Sequence, residues 1–161
     1  MSGTHGRSFG RFPARAPEAR DRAFLSALYL ACRPDLLALP VPRSVAEGIA
    51  RHQQGQRDAD YAARYPHAQS WLIEEGDRPL AWVLLARTEV GVRVVDLAVD
   101  AGQRRKGVAR ALLLALQSQE AAIALRVRAG NGAARALYAG LGFRVADDHG
   151  EVLELCWTRD P

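Results

Sequence analysis

A chain of 161 residues, 48% hydrophobic and 25% charged, is long enough to close one domain around a core. Its longest apolar run, Val108 to Leu116, is broken by Arg110 and falls short of the ~18 residues a membrane span needs, so no membrane partner is expected. The formal charge of +4 sits mostly in residues 1–22, which leaves the remainder without the electrostatic footprint of a nucleic-acid binder.

Residues 1–8 are rich in Gly, Ser and Arg and are expected to form a flexible tail, with a single domain spanning 9–161. The N-terminus has no apolar stretch after its arginines, so no secretory leader is expected. Cys32 and Cys156 lie far apart, without metal or redox spacing, and no His/Cys/Asp/Glu pattern suggests a metal. Buried thiols in a reducing cytoplasm are the simplest expectation.

The segment "SFGRFPAR" reads as a first edge strand, weakened by Pro13. A helix is predicted from near Asp21, with Phe24, Leu25, Leu28 and Tyr29 on one side, and Pro40 and Pro42 close that region. Ser44-Val-Ala-Glu47 has the spacing of a capping box and predicts a second helix running to about Arg64. Gly48 and Gly55 each cost that helix ~1 kcal/mol relative to alanine, which predicts a break or a mobile stretch. Three strands follow, "SWLIEE", "PLAWVLLA" and "VRVVDLAV", joined by Gly76-Asp77 and a turn containing Gly91, and these predict an antiparallel meander. A helix over 107 to about 121, a strand "IALRVRA", a helix capped by Asn131 and a terminal hairpin around His149-Gly150 complete the chain. Strands alternate with helices only after the meander, so the fold class is α/β with a mixed sheet and flanking helices.

Between "DLAV" and the helix after it lies Arg104-Arg105-Lys106-Gly107-Val108-Ala109, two arginines and the chain's single lysine before a glycine. A helix start offers unpaired N–H groups and about half a positive charge, and Gly107 lets backbone approach a ligand closely. Taken alone, the segment fits an anion site or a helix start with solvated cations. It is neither a P-loop nor a dinucleotide fingerprint, lacking the glycine spacing of both.

Some 20 residues later the chain reads "LRVRAGNGAARALYAGLGF", and at this point it resembles the GCN5-related N-acetyltransferases (GNAT superfamily). Val99 and Arg104-x-x-Gly107-x-Ala109 match that family's acetyl-CoA motif. Asn131, Ala134, Leu137, Tyr138, Leu141, Gly142 and Phe143 match its second motif. The resemblance covers residues ~92 to 145 and implies a meander followed by two parallel strands that splay around acetyl-CoA. By the same resemblance the backbone of Leu97, Ala98 and Val99 holds the pantetheine, and the N–H groups of Arg105, Lys106, Gly107, Val108, Ala109 and Arg110 take the diphosphate. Asn131 and Ala134 are implied as further cofactor contacts. The side chains of Arg104, Arg105 and Lys106 are expected largely to face solvent.

The implied reaction is acetyl transfer from acetyl-CoA to a primary amine of a small molecule or protein, by direct attack in a ternary complex. The Val99 amide is the implied oxyanion donor, and Tyr138 stands at the family's position for the acid that protonates the departing thiolate. In the branch that acetylates ribosomal-protein N-termini a strand glutamate serves as base. Arg126 occupies that position here and cannot do so, because a guanidinium keeps its charge. Asp96, a carboxylate interrupting an apolar strand, is the best replacement, and its alternative reading is an ion pair with Arg93 or Arg126. Tyr61, Tyr65, His67 and Trp71 read either as an acceptor pocket or as packing, while His52 and His149 read as surface residues. A degenerate acyl-CoA-binding sensor is the competing function. Many relatives pair, so a homodimer is compatible with the resemblance.

Overall fold

The computed structural model describes residues 6–160. Eight strands form one sheet in the order β1-β2-β3-β4-β5-β6-β8-β7. They are β1 (Arg7–Phe9), β2 (Phe12–Arg15), β3 (Gln69–Glu75), β4 (Arg78–Arg87), β5 (Val92–Val99), β6 (Ala122–Arg128), β7 (Arg144–Asp148) and β8 (Val152–Thr158). Every neighbouring pair is antiparallel except β5 and β6, whose connection runs through helix α4 (Val108–Gln119). The predicted meander is β3-β4-β5, and the terminal hairpin inserts β8 between β6 and β7. This is the mixed sheet with flanking helices that the sequence implied.

One face carries the main core. Leu112, Leu113 and Leu116 of α4 are fully buried against Ile73, Val83, Ile123 and Leu125 of the sheet. Truncating any one of these leucines to alanine should cost about 2–5 kcal/mol, since neighbours refill such a cavity only in part. Leu137 and Tyr138 of α5 (Gly132–Gly140) pack on the same core. The other face is covered by α1 (Arg22–Ala31) and α3 (Arg43–Arg64), with Leu28, Leu72, Trp82 and Leu84 as its buried centre. The short helix α2 (Pro34–Leu37), which the sequence pattern did not reveal, buries Leu36 with Leu30 and Ala50. Gly91, just before β5, is required by close approach, because a Cβ there would lie 2.1 Å from the Ala122 carbonyl oxygen.

Five expectations need correction. Cys32 is exposed and Cys156 only partly buried, so they are not the two buried thiols expected. "SFGRFPAR" is not one strand but most of a hairpin: β1 and β2 pair around Gly10, whose φ of +60° suits a glycine at the reversal. Arg7 and Ser8, expected in the tail, belong to β1, and the rest of that expectation, residues 1–5, lies outside the described residues. The Ser44–Glu47 capping box does not form. Pro42 is the N-cap, Ser44 lies inside the first turn, and Glu47 instead accepts from Arg43 at 3.2 Å. Helix α3 is also continuous through Gly48 and Gly55, because Ala46 and Ala50 bury its face and Tyr61 packs beside Leu28.

Candidate active site

Strands β5 and β6 are paired only over Val92–Val94 and Ile123–Leu125. Beyond that point they part, and the cause is local. Between Leu84 and Leu85 the β4–β5 register shifts, so Val95 is an extra residue on β5. A bulge bends its strand and resets the alternation of side chains. Val92 and Val94 face the main core; after the bulge Leu97 and Val99 do so, while Val95, Asp96 and Ala98 turn toward α1 and α3. Had the alternation of Val92 and Val94 continued unbroken through Val95, Asp96 would point into the main core.

The opening between the strands is a cleft of about 670 Å³. It connects the two faces of the sheet: Tyr29, Arg57 and Tyr61 line it from the helical layer α1/α3, and Ala134 and Tyr138 line it from α5. Of the sequence-predicted site residues, Asp96, Leu97, Ala98, Asn131, Ala134 and Tyr138 meet here. Val99 and residues 104–110 lie beyond this cleft, at the C-terminal end of β5 and the start of α4. Tyr65 joins Tyr61 in the lining, but His67 and Trp71 do not. Trp71 packs with the main core under the Arg7 guanidinium, 5.7 Å from its ring.

The loop before α4 has an unusual backbone. Gly107 is left-handed at φ +84°, and so is Arg105 at φ +64°, the single non-glycine residue of that kind among the described residues. Left-handed backbone costs an ordinary L-residue about 1–2 kcal/mol, so its presence marks a constrained turn. The first helical bond runs from the Ala111 N–H to the Gly107 carbonyl at 2.9 Å, which leaves the N–H groups of Val108, Ala109 and Arg110 without acceptors inside the helix. Such a turn presents amides and helix dipole together to an anion. Nothing lies within 4 Å of where a Gly107 Cβ would stand.

The cations of this loop behave unequally. Arg105 and Lys106 are exposed, as expected. Arg104 is exposed as well, as expected, but it is also anchored: its Nε donates to the Val99 carbonyl at 3.3 Å and its Nη2 to the Ala31 carbonyl at 3.3 Å. It thereby ties the end of β5 to the C-terminus of α1, where a cation meets the negative end of a helix dipole.

Asp96 does not pair with Arg93 or Arg126. Its Oδ2 accepts from Arg57 Nη1 at 3.3 Å and from the Tyr61 hydroxyl at 3.1 Å. Burial pushes its carboxyl above the usual range, and Arg57 and Tyr61 pull only part of the way back. Burial and the Asp96 charge push the Tyr61 phenol far upward. Arg93 and Arg126 converge on Glu154, whose carboxyl burial raises but whose two guanidinium partners hold it below its ordinary value.

Tyr138 sits half-buried at the far wall, its ring 5.7 Å from that of Phe143. Its hydroxyl has no hydrogen-bond partner among the described residues. Burial and then the Asp96 charge raise its pKa, so it holds its proton at neutral pH. Asn131 caps α5, its Oδ1 accepting from the Ala134 N–H at 3.2 Å, and it also faces the cleft.

Arg57 was missed by the sequence reading. Its guanidinium lies over Tyr29, Trp82 and Tyr61, 4.9, 5.0 and 5.6 Å from their rings, while donating to Asp96 and to Asp58. No local motif marks it, since its partners come from α1, β4 and β5.

The family model described as Acetyltransferase (GNAT) family matches residues 25–143. No curated protein matches the chain. Among solved structures, the PaiA N-acetyltransferase of Thermoplasma acidophilum in complex with coenzyme A superposes with a TM-score of 0.66 at 13% identity, covering 92% of this chain and 99% of that one. The ribosomal-protein-S18-alanine N-acetyltransferase of Escherichia coli gives 0.55 at 24% identity, covering 90% and 92%. An acetyltransferase of Thermus thermophilus gives 0.62 at 18%, covering 89% and 95%. These likenesses concern the fold.

Proposed function

The chain belongs to the acetyltransferase (GNAT) family, and from that premise we propose that it transfers the acetyl group of acetyl-CoA to a primary amine of a small molecule or protein, by direct attack in a ternary complex. The observation that carries this reading is the parting of β5 from β6 after Val94, with the left-handed turn at Gly107 beyond it. The Asp100 N–H donates to the Leu80 carbonyl, so Ala98, two residues back, pairs with Trp82 on β4, and the parting leaves the backbone groups of Leu97 and Val99 available to a chain-like ligand on either side of Ala98; the amides at the start of α4 suit a diphosphate. These residues fit acetyl-CoA in shape and in chemistry.

Acetyl-CoA would supply the activated acyl group as a thioester. Leu97 and Val99 hold the extended arm, with the Val99 amide donating where negative charge develops on the acyl oxygen. The N–H groups of Arg105 and of Gly107 to Arg110 receive the diphosphate, that of Lys106 donating to the Gln103 carbonyl at 3.4 Å, and Asn131 and Ala134 support the arm from α5. Tyr138 keeps its proton at neutral pH and gives it to the departing sulfur. Asp96 removes the proton of the incoming ammonium, which cannot attack while protonated, and Arg57 and Tyr61 fix the carboxylate for that task. The raised pKa of Asp96 makes it a better base than an exposed aspartate.

The test is thiol release from acetyl-CoA against a panel of amines, after binding of acetyl-CoA has been measured. Turnover on at least one amine is expected. Tight binding with no turnover on any amine would instead favour an acyl-CoA sensor.

A further inference from the structure

Along β6 the side chains alternate: Ile123, Leu125 and Val127 are buried in the main core, so Arg126 and Arg128, two residues apart, share the opposite face. That face is walled by the C-terminal turns of α3. A side pocket of about 260 Å³ lies there, and Tyr61, Tyr65, Asp96, Arg126 and Arg128 line both it and the main cleft. Arg64 and Arg93 complete its cationic wall.

The charges of this pocket do not cancel. Arg93 and Arg126 share a single carboxylate, Glu154. Arg64 is matched by Asp60 at 2.8 Å. Arg128 has no acidic partner among the described residues. Asp96 shares Arg57 with Asp58. One net positive charge is thus left on the groups of this pocket and their partners, with Arg128 unmatched, and guanidinium groups cannot shed their charge near neutral pH. Such a pocket repels an acceptor with additional cationic groups and suits a carboxylate or phosphate, which an arginine fork binds in two-point geometry. Asp96, on the wall common to both spaces, marks where the ammonium end would sit.

We infer that the amine acceptor carries an anionic group close to its amine, held by Arg126 and Arg128 while the amine points to Asp96. The inference rests on the acyl-transfer reading. Arg126 and Arg128 act here as specificity residues, separate from the loop that receives the diphosphate.

The experiment uses the full chain saturated with CoA and titrates it with three products differing in charge: N-acetylalanine, N-acetylalaninamide and N-acetyl-phosphoethanolamine. One or both anionic products should bind at least tenfold more tightly than the amide, and the preferred one identifies the anion. In Arg128→Gln the preference should fall below threefold, with CoA affinity unchanged. In Arg20→Gln, which removes an exposed charge outside the pocket, the preference should persist. Equal affinities, no binding of any product, or an intact preference in folded Arg128→Gln would overturn the inference while leaving the CoA site standing. Failure of CoA itself to bind would overturn the acyl-transfer reading beneath it.

Discussion

Replacing Tyr138 by phenylalanine removes one oxygen and little else. The hydroxyl has no protein partner among the described residues, and the ring contact with Phe143 survives the change. The variant's stability should therefore stay within about 0.5 kcal/mol of the parent, as for substitutions that break no packing or bonded network. If the hydroxyl protonates the leaving sulfur, the rate should fall about 100- to 1000-fold, a usual size for a positioned acid. At 1.36 kcal/mol per decade that is a loss of about 3–4 kcal/mol of transition-state stabilisation. The assay is thiol release at saturating acetyl-CoA, paired with calorimetric binding of acetyl-CoA and a thermal melt. Burial and the Asp96 charge raise the phenol's pKa, so the parent should keep its acid function beyond pH ~10, the ordinary tyrosine value. An unchanged kcat in a folded Tyr138→Phe variant would remove Tyr138 from the chemistry.

Gly107→Glu should abolish acetyl-CoA binding while the chain stays folded, because the space around its Cβ is open and the left-handed φ of +84° costs the new residue only about 1–2 kcal/mol; calorimetry and circular dichroism together check this. Asp96→Asn should lower kcat at least tenfold and remove the acidic limb of the pH–rate profile, a limb expected above the ordinary aspartate range because burial raises the native carboxyl. A surviving limb in the Asn variant would assign the base elsewhere. Asp21 behaves oppositely: hydrogen bonds from Arg15 hold it down to about 2. Its contribution to stability is complete above pH ~4, where the unfolded carboxyl is also ionised, and is lost as pH falls through about 2. Denaturant unfolding between pH 5 and 2 should show a steeper loss in the parent than in Asp21→Asn.

The order of strands and helices after residue 69 was legible because it rests on local signals: alternation, glycine turns and an asparagine cap. The hairpin at residues 7–15 was not, since Gly10-Arg11 offers no strong turn pair and each strand is very short. Helix α3 was underestimated because propensity counts the cost of Gly48 and Gly55 but not the tertiary burial that offsets it. The loop at Gly107 and the residues of α5 were readable from spacing, as those residues lie close in sequence. Asp96 stood out as a charge in an apolar strand, yet its partners did not, because the bulge at Val95 decides which face it meets. Arg57 lies 39 residues away and reaches it only through the fold. The arginine wall depends likewise on strand parity and on where α3 ends.

The central claim is that the donor lies in the parting of β5 and β6 with its diphosphate on the turn before α4. Residue-resolved amide exchange of the chain with and without CoA tests it directly. CoA should slow exchange at Leu97 and Val99 and at Gly107 to Arg110 while leaving β1 and β2 unaltered. Bound CoA with no added protection at either segment would contradict the account.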